Sequence, residues 1–214
     1  MFFSCNENHS HFPTESLIYE EAEQFNFSAM IQNDSGEKVF ADTILLETFG
    51  KKWPYDDLQW KIGWRYPFDL RTFYTGVIVS EDSIWIHPPR TGPFAILEGN
   101  AFPCVYPNDS IGSKRTITIR ANPGDWFPLD SAEVTGTVAF KSIYRRRKDT
   151  VVNILGMERD AIHFDAITTS PLGLSRSNFL FDPQFGFVQM KFYTLHQETI
   201  FLKLNVPTPD KKPT

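Results

Sequence analysis

Polar and apolar residues alternate along most of this chain. In "RTITIR", Ile117 and Ile119 point one way while Thr116, Thr118 and Arg120 point the other, the period of two that a half-buried strand requires. "FNFSAMIQ" (Phe25 to Gln32) and "KVFADTILLETF" (Lys38 to Phe49) flank the turn-rich "NDSGE" and predict a hairpin. "RTFYTGVIVS" and "SIWIH", separated only by Glu81 and Asp82, predict another. "EVTGTVAFKSIYRRRK" is long enough for one bent strand, with Gly136 as the site of a bulge or close approach. At the C-terminus, "FGFVQMKFYTL" and "TIFLKLNV" are joined by His196-Gln197-Glu198 and place Ile200, Leu202, Leu204 and Val206 on one face, a closing hairpin.

Helical periodicity is scarce. "TESLIYEEAEQ" (Thr14 to Gln24) supports either one short helix capped by Thr14 or an extended lead-in. The pattern adds up to about ten to twelve antiparallel strands: an all-β barrel, half-barrel or sandwich with at most one or two short helices. Residues 1–15 read as a polar tether, 16–206 as a single β-rich domain, and 207–214, with three prolines, as a disordered tail. One stretch breaks the alternation. Pro88 to Lys114 holds five prolines and one plausible strand, Phe94 to Glu98. Connections that long are uncommon in compact domains and are often functional, and its aromatic content predicts a packed flap across one end of the sheet.

Composition sharpens this picture. Twenty phenylalanines in 214 residues, with aromatics at 15%, predict a core of rings packed between sheet faces. Fifteen prolines and twelve glycines fit many turns. A net charge of −5 argues against nucleic acid as a partner, since such proteins present a basic face.

The opening "MFFSCNEN" carries the first functional signal. Phe2, Phe3, Ser4 and Cys5, followed by the polar "NENHSHFPTES", resemble the bacterial lipobox in the Phe-tolerant form of Bacteroidota-type lipoproteins. A working export signal also has a basic start and about 7–15 apolar residues, which the sequence upstream of Met1 is expected to encode. The resemblance implies lipid (palmitate) on Cys5, a membrane anchor as the main partner, and a location in the periplasm or at the cell surface. Cys104 in "NAFPCVYP" is then an unpaired buried thiol; a Cys5–Cys104 disulfide is the competing reading.

Downstream, the candidate chemistry is sparse. His87-Pro88-Pro89-Arg90 ends a strand, and its imidazole and guanidinium could bind a carboxylate or phosphate, or simply satisfy turn carbonyls and nearby acids. His163 and Asp165 in "AIHFDAI" share a strand face, as a proton-transfer pair or as surface residues. The five histidines show no metal-ligand spacing, "SPLGLSRS" is not a nucleophile elbow, and no phosphate or dinucleotide loop appears, so no cofactor, metal or catalytic residue is assigned. The run Arg145 to Lys148 could meet anionic headgroups or be a solvated hairpin end. Trp53, Tyr55, Trp60, Trp64 and Tyr66 fall within fourteen residues. They form either a sugar-stacking platform or, with Trp60, Ile62 and Trp64 at alternate positions, an inward core face.

"IWIHPPR…FAILEGNAFPCVYP" and "ITTSPLGLSRSNFLFDPQFGFVQMKFYTL…IFLKLN" resemble a group of uncharacterised Bacteroidota lipoproteins with an HPPR segment, an NPFP-like stretch and a GFV hairpin. The match covers most of residues 80–205, with Ala101 interrupting the NPFP element. It implies an envelope location and no particular activity. The sequence therefore reads as a non-enzymatic cell-envelope lipoprotein domain that binds an apolar ligand or an envelope protein. His87, Arg90, Trp53, Trp60 and Trp64 are the ligand-binding candidates. The alternatives are an envelope hydrolase acting on glycan or lipid, and a carbohydrate-binding module using those tryptophans.

Overall fold

The structure, a computed structural model, describes residues 18–54, 56–123, 136–154 and 156–205. The lipobox, the tether, most of the Thr14–Gln24 segment and the tail lie outside the described residues.

Among the described residues, thirteen strands form one antiparallel sheet: β1 (Gln24–Gln32), β2 (Lys38–Trp53), β3 (Asp56–Tyr66), β4 (Asp69–Val79), β5 (Ile84–Ile86), β6 (Cys104–Val105), β7 (Lys114–Ala121), β8 (Val138–Arg146), β9 (Thr150–Ile154), β10 (Met157–Ser170), β11 (Gly173–Asp182), β12 (Gly186–Tyr193) and β13 (Thr199–Asn205). Their spatial order is β6-β5-β4-β3-β2-β1-β13-β12-β11-β10-β8-β7, with β9 paired to β10 off this path. The sheet does not close; β6 and β7 are its two ends.

Both hairpins expected near the N-terminus form, as β1–β2 and β4–β5. The C-terminal hairpin forms too, as β12–β13, but at the middle of the sheet, because β1 returns to pair with β13. Chain ends that are distant in sequence thus join two meanders into one surface. Residues 18–23 are a turn leading into β1, not a helix running to Gln24. Gly136 lies two residues before β8, outside any strand, with φ +94.

One sheet face carries the core. A registered row crosses six strands, Ala29–Leu202–Met190–Phe179–Phe164–Arg146, and its first five side chains are at most 2% exposed. The period-two pattern puts this row inward, and burying a large apolar side chain stabilises by about 1.5–3 kcal/mol. Arg146 ends the row, buried, its guanidinium 2.5 Å from Asp149 and over the Phe164 ring, while Arg147 pairs with Asp165 at 2.5 Å. The basic run is therefore only partly solvated. On the opposite face, β9 and the start of β10 fold over Leu180 and Val188, forming a small second core with Ile154 and Ala161.

The Pro88–Lys114 stretch fills the inward face. Phe94 to Glu98, expected as a strand, lies instead in a 3-10 helix, Gly92–Gly99. Proline at its start fixes φ without sacrificing a needed N–H, and Phe94, Ile96 and Leu97 bury all or nearly all of their surface. Phe94 stacks on Tyr66 and meets Phe40 edge-on. Beyond the helix the chain is stitched to the far half of the sheet. Asn100 Nδ2 donates to the carbonyls of Arg176 and Tyr193 at 3.1 Å, Ser175 to Gly99 O at 2.8 Å, Ser177 to Ala101 O at 3.3 Å, and Tyr144 to Phe102 O at 2.9 Å. All four side chains are buried, where an unpaired polar group would cost about 1–3 kcal/mol. Cys104 follows as a free, buried thiol whose ionisation is pushed up to about 12 by burial. No helix among the described residues is long and apolar enough to cross a membrane.

Candidate functional site

Between the inserted segment and the β3–β4 side of the sheet lies a cavity of about 650 Å³, within the roughly 300–1,000 Å³ of small-molecule sites. Its wall comes from inward positions of two adjacent strands: Trp64 pairs with Phe73, and Thr75 pairs with Ile62. Tyr66, Arg90, Thr91 and Glu98 complete that side, while Ala121 and Asn122, at the end of β7, supply the other. The site therefore lies between β3–β4 and the β7 edge of the open sheet.

Three hydroxyls lie buried within its wall. Thr75 Oγ1 is buried and makes no hydrogen bond. The Tyr66 hydroxyl sits within reach of Thr91 and of the Arg90 and Thr91 backbone, without the geometry of a formed bond, and burial raises its ionisation above that of an ordinary phenol. Thr91 Oγ1 is likewise buried and unsatisfied. At the rim, Arg90 Nη1 donates to Glu98 Oε1 at 3.0 Å, so among the described residues the two ionic side chains lining the cavity neutralise each other.

The sequence-derived candidates divide around this cavity. Arg90 and Trp64 line it. Trp64 is 1% exposed, and its indole N–H donates to the His87 carbonyl at 3.0 Å. His87 stands behind that wall, its ring against Trp85 and Phe102 and its Nδ1 buried without a partner. Burial, then the charge of Arg90, pushes its pKa down to about 3, so the ring is neutral. Trp53 and Trp60 are partly exposed and lie outside the cavity, Trp60 beneath the Lys52 ammonium at 3.9 Å. The three tryptophans do not form an exposed row. His163 is bound to Asn178 at 2.6 Å and Asp165 to Arg147, each with its own partner on the outer face. Cys5 lies outside the described residues. Among the described residues, no group of three or more His, Cys, Asp or Glu stands close enough to hold a metal ion.

Thr75, Thr91 and Glu98 were not singled out from sequence. The signal for Thr75 was present: in "RTFYTGVIVS" it occupies an inward position between Phe73 and Val77, a polar group where the pattern calls for an apolar one.

Fold and site together describe an open antiparallel half-barrel whose concave side is filled by its own proline-rich insert, leaving a cavity lined by aromatic and polar residues. No family model matches the chain, and no curated protein matches it. Solved structures similar to it include two that align with it over most of their length. One is the hypothetical lipoprotein YmcC of Escherichia coli, 12% identical, with a TM-score of 0.39 over 85% of this chain and 87% of that one. The other is a Bacteroides fragilis protein with a YmcC-like fold, 11% identical, with a TM-score of 0.42 over 85% and 92%.

Proposed function

We propose that this chain is the folded part of a cell-envelope lipoprotein, tethered through lipid on Cys5, that holds a ligand or an envelope partner's side chain in the concave cavity without transforming it. The observation that carries the binding reading is the cavity itself, about 650 Å³ between β3–β4 and the end of β7, with aromatic residues on its wall and the Arg90–Glu98 pair at its rim. The residues considered for acid–base chemistry support a binding role by their placement. His163 and Asp165 are engaged on the outer face, and His87 is packed behind the wall. The anchor rests on the residues around Cys5 and the polar stretch after it.

Two measurements test this reading. Expressed from its own locus with whatever precedes Met1, the protein should incorporate labelled palmitate, and Cys5→Ala should abolish the label; labelling that survives the substitution removes the anchor assignment. Purified gently from the native envelope, it should carry a small molecule detectable by native mass spectrometry. Ala95→Trp, which fills the cavity from the 3-10 helix, should exclude that molecule. Retention by the filled variant would place the ligand elsewhere.

A further inference from the structure

We infer that the outer face of β7, β8, β10, β11 and β12 is a docking surface for an anionic lipid bilayer, a contact separate from both the cavity and the Cys5 anchor. The alternation that buries Phe164, Phe179 and Met190 turns their strand neighbours outward, and the registers join those neighbours into rows. One row runs Lys114–Arg145–Asp165–Asn178–Lys191, the next Ile143–Ile167–Arg176–Tyr193, and a third Lys141–Thr169–Leu174. Lys114, Lys141 and Arg176 are exposed, and Arg145 and Lys191 are half-buried. Among the described residues, none of these five is ion-paired to a carboxylate. The carboxylate within the rows, Asp165, is bonded to Arg147 at 2.5 Å. Glu158 and Asp160 lie beyond them, on the part of β10 that folds with β9 over Leu180 and Val188. The chain carries a net charge of −5, so this positive face arises from how the charges are distributed. On the other half of the outer face, Arg65 is neutralised by Glu47 at 3.0 Å.

Charge alone would suit any polyanion. The side chains between the charges select a bilayer. Ile143, Ile167, Tyr193 and Leu174 are 42%, 44%, 44% and 51% exposed, at positions where a solvated sheet face calls for polar residues, and contiguous exposed apolar surface marks a contact site. Arg176 stands between Ile167 and Tyr193 across the strands, while Lys141 and Arg145 flank Ile143 along β8. The Lys191 ammonium lies 4.8 Å from the centre of the Tyr193 ring. Leu174, Arg176 and Tyr193, with Thr194, border an open groove of about 320 Å³. A soluble polyanion would neutralise the cations and leave the intervening apolar surface in water. The boundary between headgroups and acyl chains takes both: phosphates meet the guanidinium and ammonium groups, and the isoleucine, leucine and tyrosine side chains enter the apolar layer.

Vesicle sedimentation with the full, unacylated Cys5→Ala chain tests this surface apart from the anchor. Binding is expected to phosphatidylcholine vesicles that contain phosphatidylglycerol, not to phosphatidylcholine alone, and should fall as salt rises. Arg176→Ala and Lys141→Ala should each weaken it about fivefold, the worth of roughly one basic residue near an anionic surface. Ile167→Ser and Leu174→Ser should weaken it as well, and Arg65→Ala should leave it unchanged. All five positions are exposed, so the melting temperature should hold in every variant. Absence of binding, equal binding to both lipid compositions, or equal losses from Arg65→Ala and Arg176→Ala overturns the assignment. Binding to soluble heparin that Arg176→Ala weakens, with vesicle binding indifferent to Ile167→Ser and Leu174→Ser, also overturns it, because the face then takes a polyanion and not a bilayer.

Discussion

At the scale of single residues, the roles divide by the face each side chain occupies. Leu202 points inward between Ala29 and Met190 and is fully buried. Truncating it leaves a void shared by three strands, and Leu202→Ala should cost about 2–5 kcal/mol in denaturant unfolding. Arg90 is 37% exposed and paired only at the cavity rim, so Arg90→Ala should cost less than about 1 kcal/mol. The reverse order of these two values would contradict both placements. His87 adds a pH signature. Its folded pKa, about 3, lies below the ordinary value near 6.5, so between those limits the unfolded chain binds the extra proton. Its contribution is complete above pH 6.5 and lost as pH falls toward 3, at up to about 1.4 kcal/mol per pH unit. His87→Phe keeps an aromatic ring against Trp85 and Phe102 and removes the titration. From pH 7 to 5 the variant should lose less stability than the parent chain, and parallel losses would mean that His87 is accessible to protonation in the folded state.

At the scale of elements, the strands were legible, and the insert was legible as a packed segment but not in its internal structure. Alternation in "RTITIR", in the two early hairpins and in "TIFLKLNV" is a local signal, and the corresponding strands are present. "GPFAILEG" carries the same apolar content without a decisive period, and packing of Phe94 on Tyr66 and Phe40 selects a 3-10 helix there. The partners that hold the insert did leave a trace. In "LSRSNFLF", Ser175 and Ser177 share a face with Phe179 and Phe181, so small polar groups sit where the core continues, and the sequence alone cannot say which carbonyls they meet. Those carbonyls belong to Gly99 and Ala101, more than seventy residues earlier, a separation beyond any local pattern. Asn100 is the strongest of these ties. Asn100→Ala leaves the Arg176 and Tyr193 carbonyls without that donor and should cost about 1–3 kcal/mol. Hydrogen exchange should show the loss concentrated in residues 92–105, and uniform loosening of the sheet would contradict the stitching role. At the other side of the sheet, the Phe187 backbone N–H donates to the Tyr19 hydroxyl oxygen at 2.7 Å. Gly186, with φ +77, leaves the space the Tyr19 ring occupies. Gly186→Ala would drive a methyl group into that ring and force a strained backbone, so it should destabilise more than Gly156→Ala. Gly156 also has positive φ but open space around it, and equal costs would mean that Tyr19 is not seated there.

At the scale of the molecule, the sheet stays open and its concave side is completed by the chain itself. Joining β1 to β13 brings the two meanders into one surface, and the insert then bridges their inner faces, leaving the cavity between β3–β4 and the end of β7. None of this long-range closure could be read from period or composition, although its components could: Trp64 and Arg90 were candidates from sequence, while Trp53 and Trp60 shared the composition but not the place. The most direct measurement of the central claim is native mass spectrometry of the protein purified gently from its envelope, compared with the Ala95→Trp variant, whose new side chain fills the cavity. The account predicts a small molecule bound to the parent chain and absent from the variant. The same bound mass on both proteins, or none on the parent, would contradict it.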